Sequence, residues 1–390
     1  MSEIKVNSIK GVGASAAAIT VNNSDGTCTA NITSVNGGQL GNRNLLINGD
    51  MQISQRNGSS SVTYTNGQYS LDRWHIVADA ASKFSTQQVS DAPSGLKKSL
   101  KMTSSSAYTP QTNEAFGVGQ KIEGHNTNWL GFGASGAKSI TISFFVKSSL
   151  TGTFSGSVLN ENATRGYPWS YTISSADTWE RKTITVTGSP DGSWSTSTGT
   201  GLWIFWSMGA NANRSGTAGQ WSTSQYTFAV TGSTAVVATN GATLQITGCQ
   251  VEEGSVATDF EHRSFGQELA LCQRYFYMHA NGSESAAGSG GSGLCPIMSG
   301  AWFYGSAFTG VVTFPTRMRT SPSIYKVQGT DYFSVLSNNI VGTNDSVSIT
   351  RSSTTTASLW LEGNASGTQG HGGYARTHSS SARIGFQAEL

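Results

Sequence analysis

The run Ile246-Thr-Gly-Cys-Gln-Val-Glu-Glu-Gly-Ser-Val-Ala-Thr-Asp-Phe-Glu-His-Arg-Ser-Phe-Gly-Gln-Glu-Leu-Ala-Leu-Cys-Gln-Arg-Tyr-Phe276 decides how this 390-residue chain is organised. Its first third reads as a closing strand that ends in a turn at Gly254. The rest holds the only good amphipathic helix pattern of the protein. Ser264 is placed to cap it, and Gln267, three residues on, completes a capping box. Phe265, Leu269, Cys272 and Phe276 then follow helical spacing. The spacing predicts a helix over 264–277 whose apolar stripe packs against a neighbouring domain. It contains no catalytic constellation.

Composition on both sides of this junction favours strands. Charged residues make up 12 % of the chain, against roughly 25 % in ordinary soluble domains. Ser, Thr and Asn replace Lys and Glu, and these short polar side chains compete for the hydrogen bonds of a helix backbone. A net charge of +2 together with ten tryptophans argues for an ordered chain, because disorder pairs low hydrophobicity with high net charge. Phosphate binding needs clustered cations, and no Lys/Arg run exceeds Lys97-Lys98, so nucleic acid is not an expected partner. No apolar stretch approaches the ~20 residues of a membrane span. Met1-Ser-Glu-Ile-Lys-Val6 lacks a signal-peptide core. Synthesis in a cytoplasm is therefore expected, with Cys28, Cys249, Cys272 and Cys295 as free buried thiols in no metal-ligand spacing.

Four segments follow. Residues 1–43 are a lead-in without a single aromatic residue, with a hairpin signal at Asp25-Gly26. It needs a partner surface or further copies of itself to bury a core. Residues 44–262 hold eight of the ten tryptophans. Strand-like runs occur at 71–77, 139–146, 181–187, 201–208, 226–230 and 243–251, separated by turn chemistry such as Ser189-Pro-Asp-Gly192. Short strands without regular helices imply an all-β sandwich or jelly roll. Residues 263–280 are the helical junction, and 281–390 return to strands, at 297–303, 310–314, 324–327, 346–350, 357–361 and 382–388. Residues 286–293, Gly/Ser-rich, read as a linker or hairpin tip. Pro315 and Pro322 suit an edge or a turn.

Several patterns carry no chemistry. Gly11-Val-Gly-Ala-Ser-Ala16 lacks the flanking strand and full helix of a dinucleotide site. Ser94-Gly-Leu-Lys97 and Ser135-Gly-Ala-Lys138 lack the companions of a serine acyl-transfer site. The six histidines are dispersed. Tyr167, Trp169 and Tyr171, and the cluster Trp203, Phe205, Trp206 and Trp221, are expected in the core. Trp194 is the loop aromatic expected at the surface and a candidate glycan contact. In the Gly/Ser-rich stretch 363–381, read as a loop, His371, Tyr374 and Arg376 are candidate contacts at a tip.

The junction run resembles that of tail-fibre and receptor-binding proteins of tailed bacteriophages. Asn44-Leu-Leu-Ile-Asn-Gly-Asp-Met-Gln-Ile-Ser-Gln-Arg56, followed by Leu71-Asp-Arg-Trp74, is similar to the entry of the carbohydrate-binding-module-like jelly roll in the same proteins. Phe314-Pro-Thr-Arg-Met-Arg-Thr-Ser-Pro-Ser-Ile324 and Ile384-Gly-Phe-Gln-Ala-Glu-Leu390 resemble their C-terminal β head. The resemblance implies a homotrimeric virion fibre, made in the host cytoplasm, attached to other tail, baseplate or capsid proteins through 1–43. Its distal modules would recognise host surface polysaccharide. It also implies a possible structural calcium where the first and last jelly-roll strands meet, with Asp50 and Glu252 as oxygen donors; the alternative pairs Glu252 with Arg56 or Arg73. No other cofactor is expected, and no catalytic residue. A capsid fibre or baseplate component without receptor role is the competing reading. A glycan depolymerase is a further one, against which stands the lack of a β-helix repeat.

Overall fold

The structure is a computed structural model that describes residues 42–284, 294–338 and 340–390, and in the lead-in only short segments at 8–9, 19–21, 28–30, 34–35 and 38–39. The Gly/Ser stretch 286–293 lies outside the described residues. In the lead-in, Ile19–Val21 pairs antiparallel with Cys28–Ala30, and the Asp25-Gly26 turn signal lies outside the described residues.

The protein is all-β, with two sheets packed as a sandwich. The first carries the strands Gly166–Ile173, Gly152–Leu159, Thr200–Ala210, Ala115–Glu123 and His75–Ala78 in that spatial order. The second runs Glu180–Val186, Ile140–Ser148, Thr243–Glu253, Ser99–Ser104, Phe84–Val89 and Val62–Thr63. All pairings within them are antiparallel. Strand residues alternate between faces, so one side of each sheet supplies the core. Phe144 stands at its centre, 5.7 Å from Trp169, 5.2 Å from Tyr171 and 5.5 Å from Trp206, ring centre to ring centre. Edge-to-face geometry of this kind adds about 0.5–1.5 kcal/mol per pair beyond simple burial.

The C-terminal part builds its own core from Trp302, Phe308, Phe333, Leu359, Leu361 and Phe386. Seven strands form one sheet, in the order Ile340–Asn344, Phe333–Ser337, Gly372–Thr377, Pro296–Tyr304, Ala307–Thr313, Thr356–Glu362 and Ser346–Ser352. In a second, three-stranded sheet, Arg383–Gln387 lies between Phe276–Asn281 and the edge strand Ser323–Val327. Both prolines of the 314–324 motif fall in the turn before that edge strand.

Four expectations need correction. Leu71–Trp74 is a turn with Arg73 at φ +72°, and the strand starts only at His75. Only Ala229–Val230 of the run 226–230 is strand, because Tyr226 sits at φ +62°. The helix spans Phe265–Gln273, capped by Ser264 Oγ, which accepts from Gln267 N at 3.3 Å. It stops early because the following residues pair with the closing strand: Ala388 N donates to Tyr275 O, and Phe276 is opposite Gln387. Its buried face is Glu268 and Cys272, while Phe265 is 59 % exposed. Finally, the 363–381 stretch contains the strand Gly372–Thr377, inside the seven-stranded sheet rather than on a loop. Among the described residues Cys249 and Cys272 are buried free thiols, and Cys295 is a free thiol that is only partly buried.

Candidate functional site

Strand Thr200–Ala210 places bulky residues on both faces. Leu202, Ile204, Trp206 and Met208 join the sandwich core, whereas Trp203 and Phe205 join Val77, Leu159 and Phe228 in a separate cluster on the outer face of the five-stranded sheet. The adjacent strand makes room by having no side chain there. A Cβ on Gly119 would lie 2.8 Å from Trp203 Nε1 and 2.4 Å from Ile204 O. The chain from Asn211 to Val230 then folds back over part of this face, held by the parallel pair Ser215–Gly216 with Ala229–Val230.

Beside this cover an open recess of about 340 Å³ remains, lined by His75, Asp79, Trp203, Arg214, Tyr226 and Phe228 among others. Trp203 meets His75 and Phe228 edge-on at 5.5 and 5.4 Å. Tyr226 stacks on Phe228 at 17°. The Arg214 guanidinium lies 4.3 Å from the Tyr226 ring centre, and its Nε donates to Asn113 O at 3.1 Å. Asp79 accepts from Ala115 N at 2.9 Å and from Asn66 at 3.2 Å. A tyrosine at positive φ is a strained choice, held here by Tyr226 N donating to Ala163 O at 2.7 Å.

Two buried polar atoms of the recess, Trp203 Nε1 and His75 Nδ1, have no hydrogen-bond partner. The core tryptophans Trp169 and Trp206 share that lack; Trp203 and His75 line an opening with their rings, while Trp203 Nε1 lies over Gly119 of the sheet. Burial, reinforced by the charges of Lys121 and Arg73, lowers the His75 pKa to about 3. The imidazole is thus neutral, with one nitrogen able to accept and the other to donate. Aromatic rings, a guanidinium, a carboxylate and a neutral imidazole converge on one small volume.

The residues expected from sequence lie elsewhere. Trp194 is half-buried in an aromatic trio, 5.0 Å from Phe132 and 5.6 Å from Trp221, with its Nε1 donating to Asp191 O at 3.0 Å. Trp129 is the more exposed tryptophan, at 45 %. Tyr374 and Arg376 are two apart on the outward face of their strand. Tyr374 is exposed opposite Ser299 and Leu336, while Arg376 is half-buried with its Nε on Ser334 Oγ at 3.1 Å. His371 is exposed in the turn before that strand, where its carbonyl accepts from Trp302 N. Glu252 is taken up by Thr258, from N at 2.9 Å and Oγ1 at 2.7 Å, and by Gln250 at 2.9 Å, not by Arg56 or Arg73. Asp50 accepts from Gln52. Among the described residues no group of three His, Cys, Asp or Glu side chains is placed to hold a metal.

The entry motif turns out to be a joint. Asn48 ties its loop together, donating to Ile53 O at 2.8 Å and Asp72 O at 3.0 Å and accepting from Ile53 N at 2.9 Å. Trp74 Nε1 donates to Asn48 O at 3.0 Å. Arg73 lies 3.6 Å over the Tyr275 ring and pairs with Glu389, which Arg56 also contacts at 3.1 Å. From the other side Arg274 grips Glu123 with two bonds of 3.0 and 2.7 Å, and Tyr275 Oη adds a third at 2.8 Å. Burial alone would raise the Glu123 pKa, but these donors hold it below the usual carboxylate value. Gln55 completes the joint by donating to Phe276 O and accepting from Met278 N.

The fold and this joint define a class: an all-β sandwich bonded through one short helix to a second β unit. No family model matches the chain, and no curated protein matches it in sequence. Among solved structures it is similar to the enzymatically active domain of a tailspike protein from bacteriophage CBA120, at 12 % identity and TM-score 0.29 over 54 % of this chain and 21 % of that one. The chain therefore spans about a fifth of that tailspike domain. A putative sugar-binding protein from Bacteroides thetaiotaomicron gives 13 %, 0.33, 54 % and 100 %. A family 11 carbohydrate-binding module of a Clostridium thermocellum cellulase gives 12 %, 0.26, 53 % and 99 %. Superpositions this loose carry no argument about function.

Proposed function

We propose that this chain is a tail-fibre protein of a virion that adheres to glycan on the host surface, and that the sugar is held in the recess around Trp203. The observation that carries glycan binding is the convergence, on one open recess of the outer sheet face, of the Trp203, Tyr226 and Phe228 rings with Asp79 and Arg214. A sugar presents C–H faces that pack on aromatic rings and hydroxyls that both donate and accept. The role is binding rather than catalysis, and the assay is the absence of new reducing ends on host polysaccharide. Support for the fibre role comes from the resemblance of the entry, junction and closing motifs. Their residues Asn48, Arg73, Arg274 and Glu389 build the joint between the two β units.

The sugar is thus placed in the sandwich, away from Tyr374, Arg376 and His371 of the C-terminal unit and away from Trp194, the candidates read from sequence. Tyr374 lies on an open sheet face that also exposes Phe303, Tyr304 and Val311, at 48, 54 and 63 %. Exposed apolar area of this kind marks an interaction surface, and the proposal gives it to contacts between copies of the chain. Calorimetric titration of full chain with host-surface oligosaccharides tests the recess. Trp203→Ala and Tyr226→Ala are each expected to weaken binding at least about tenfold, or ~1.4 kcal/mol. Unchanged affinity in both, with Tyr374→Ala defective instead, returns recognition to the C-terminal unit.

A further inference from the structure

We propose that the cleft between the sandwich and the C-terminal unit is a second saccharide site, built for a sugar that carries a carboxylate. The cleft holds about 700 Å³, inside the roughly 300–1,000 Å³ of small-molecule sites. Arg56 and Tyr69 contribute from the sandwich side, Arg319 and Tyr325 from the C-terminal side, and Glu389 lies between them.

Positive charge in this cleft exceeds negative. Arg56 and Arg73 share the single carboxylate of Glu389. Arg56, whose side chain is 6 % exposed, uses Nη2 for that pair; its guanidinium lies 3.5 Å over the Phe276 ring, and its Nη1 has no hydrogen-bond partner. Arg319 donates to three neutral carbonyls, Ala388 O at 2.7 Å, Thr198 O at 2.8 Å and Glu389 O at 2.5 Å. No carboxylate stands within ion-pair distance of it among the described residues. Burial correspondingly lowers its pKa. A guanidinium has five N–H donors, so both arginines keep hydrogen-bonding capacity after these contacts. An unneutralised cation out of bulk water is costly, and an anion entering the cleft relieves that cost.

The rest of the lining selects a sugar over a bare anion. Gln68, Ser321, Ser323 and Gln387 offer neutral donors and acceptors around the charge, and Tyr69 and Tyr325 offer rings. A phosphate or sulfate ion could use the donors among these but would leave the ring faces and the acceptor oxygens unused. The inference depends on the proposed function only for the ligand being a saccharide; its residues are distinct from those of the Trp203 recess, so either site can fail alone.

The test is calorimetric titration of full chain with trigalacturonate, with its uncharged methyl ester, and with inorganic phosphate. One charge-assisted contact predicts that trigalacturonate binds about tenfold or more tighter than the ester, with an affinity that falls as salt rises. Ser323→Trp, at an exposed position on the edge strand, fills the cleft without touching the joint and is expected to abolish that preference. Ser321→Trp is the second blocking variant should the first fail to fold. Trp203→Ala should leave trigalacturonate binding intact while losing neutral oligosaccharides. The proposal is overturned if trigalacturonate does not bind, if the ester binds equally well, or if phosphate competes as tightly as the trisaccharide. It is equally overturned if the blocking variants bind like wild type. Loss of neutral-sugar binding alone in Trp203→Ala, with the cleft silent, would sink this proposal and leave the recess standing.

Discussion

Arg73 sits in a left-handed backbone conformation with its guanidinium between the Tyr275 ring and the Glu389 carboxylate, 1 % exposed. Charge buried this deeply is tolerable only while it is paired. Glu389→Ala leaves two buried guanidiniums without their anion, and the expected loss is about 3–5 kcal/mol in urea unfolding; a loss below ~1 kcal/mol would show that water enters the joint. His75 gives a second test through pH. Its folded-state pKa is depressed to about 3 by burial, then by Lys121 and Arg73, whereas the unfolded chain takes up the proton near 6.5. The unfolded state therefore binds more protons across that window, and stability falls as pH drops from about 6.5 towards 3, by up to about 1.4 kcal/mol per pH unit. His279, also lowered by burial, acts with the same sign, so the difference between wild type and His75→Gln isolates one residue. Wild type should lose up to about 1 kcal/mol more than His75→Gln between about pH 6 and pH 5. Equal slopes would mean that His75 is solvated. Position 75 had nothing in its local sequence to mark it. Its role comes from Trp203, 128 positions along the chain, meeting it across the sheet.

At the scale of the element, the helix after Gly254 was legible from its cap and spacing, but which residue its first turn buries was not. Apolar periodicity assigned Phe265, Leu269, Cys272 and Phe276 to the interior; Cys272 and Phe276 are buried and Leu269 packs against the same cluster, but Phe265 is exposed. At the first turn the structure buries Glu268 in place of Phe265, because the Asn48 backbone N–H donates to its carboxylate and Arg263 lies beside it, 3.4 Å away. Cys272, one turn on, is fully buried against Ile47, Ile53 and Tyr275. Two substitutions separate these faces. Cys272→Asp should cost several kcal/mol, roughly 2–5, since it buries a carboxylate without a partner. Phe265→Asp should change the melting temperature little, within about 0.5 kcal/mol. A large loss in Phe265→Asp would restore the full stripe read from sequence. The strand Thr200–Ala210 shows a similar division. Its β character follows from Leu-Trp-Ile-Phe-Trp, yet that both faces are covered depends on Gly117 and Gly119 in the neighbouring strand and on the cover from Asn211 to Val230. Strands such as Ala115–Glu123 and Gly152–Leu159 escaped the pattern because glycine and serine occupy places where the partner strand supplies the bulk.

For the whole molecule, the proposed assembly can be measured directly. Light scattering of the full chain at micromolar concentration should give three times the 40.9 kDa of one chain. Tyr304→Asp with Val311→Asp, on the exposed sheet face of the C-terminal unit, should reduce it to a monomer that keeps its melting temperature; a wild-type monomer refutes the trimer. In cell-binding assays, linking three weak sites would raise apparent affinity by about 10²–10⁴ over a monomeric variant. The sequence by itself determined the all-β class, the aromatic sandwich followed by one helix and a second β unit, and the placement of Tyr167, Trp169 and Tyr171 in the core. Those properties are local: composition disfavours helix, alternation makes a strand, a cap starts a helix. Only the tertiary structure decided where the charged residues of the entry motif find partners, why Glu389 serves Arg56 and Arg73 while Glu252 turns to Thr258, and which aromatic residues line an opening. Each depends on residues tens to hundreds of positions apart meeting across a sheet or a domain joint, and pairing at that range is set by packing rather than by any pattern along the chain.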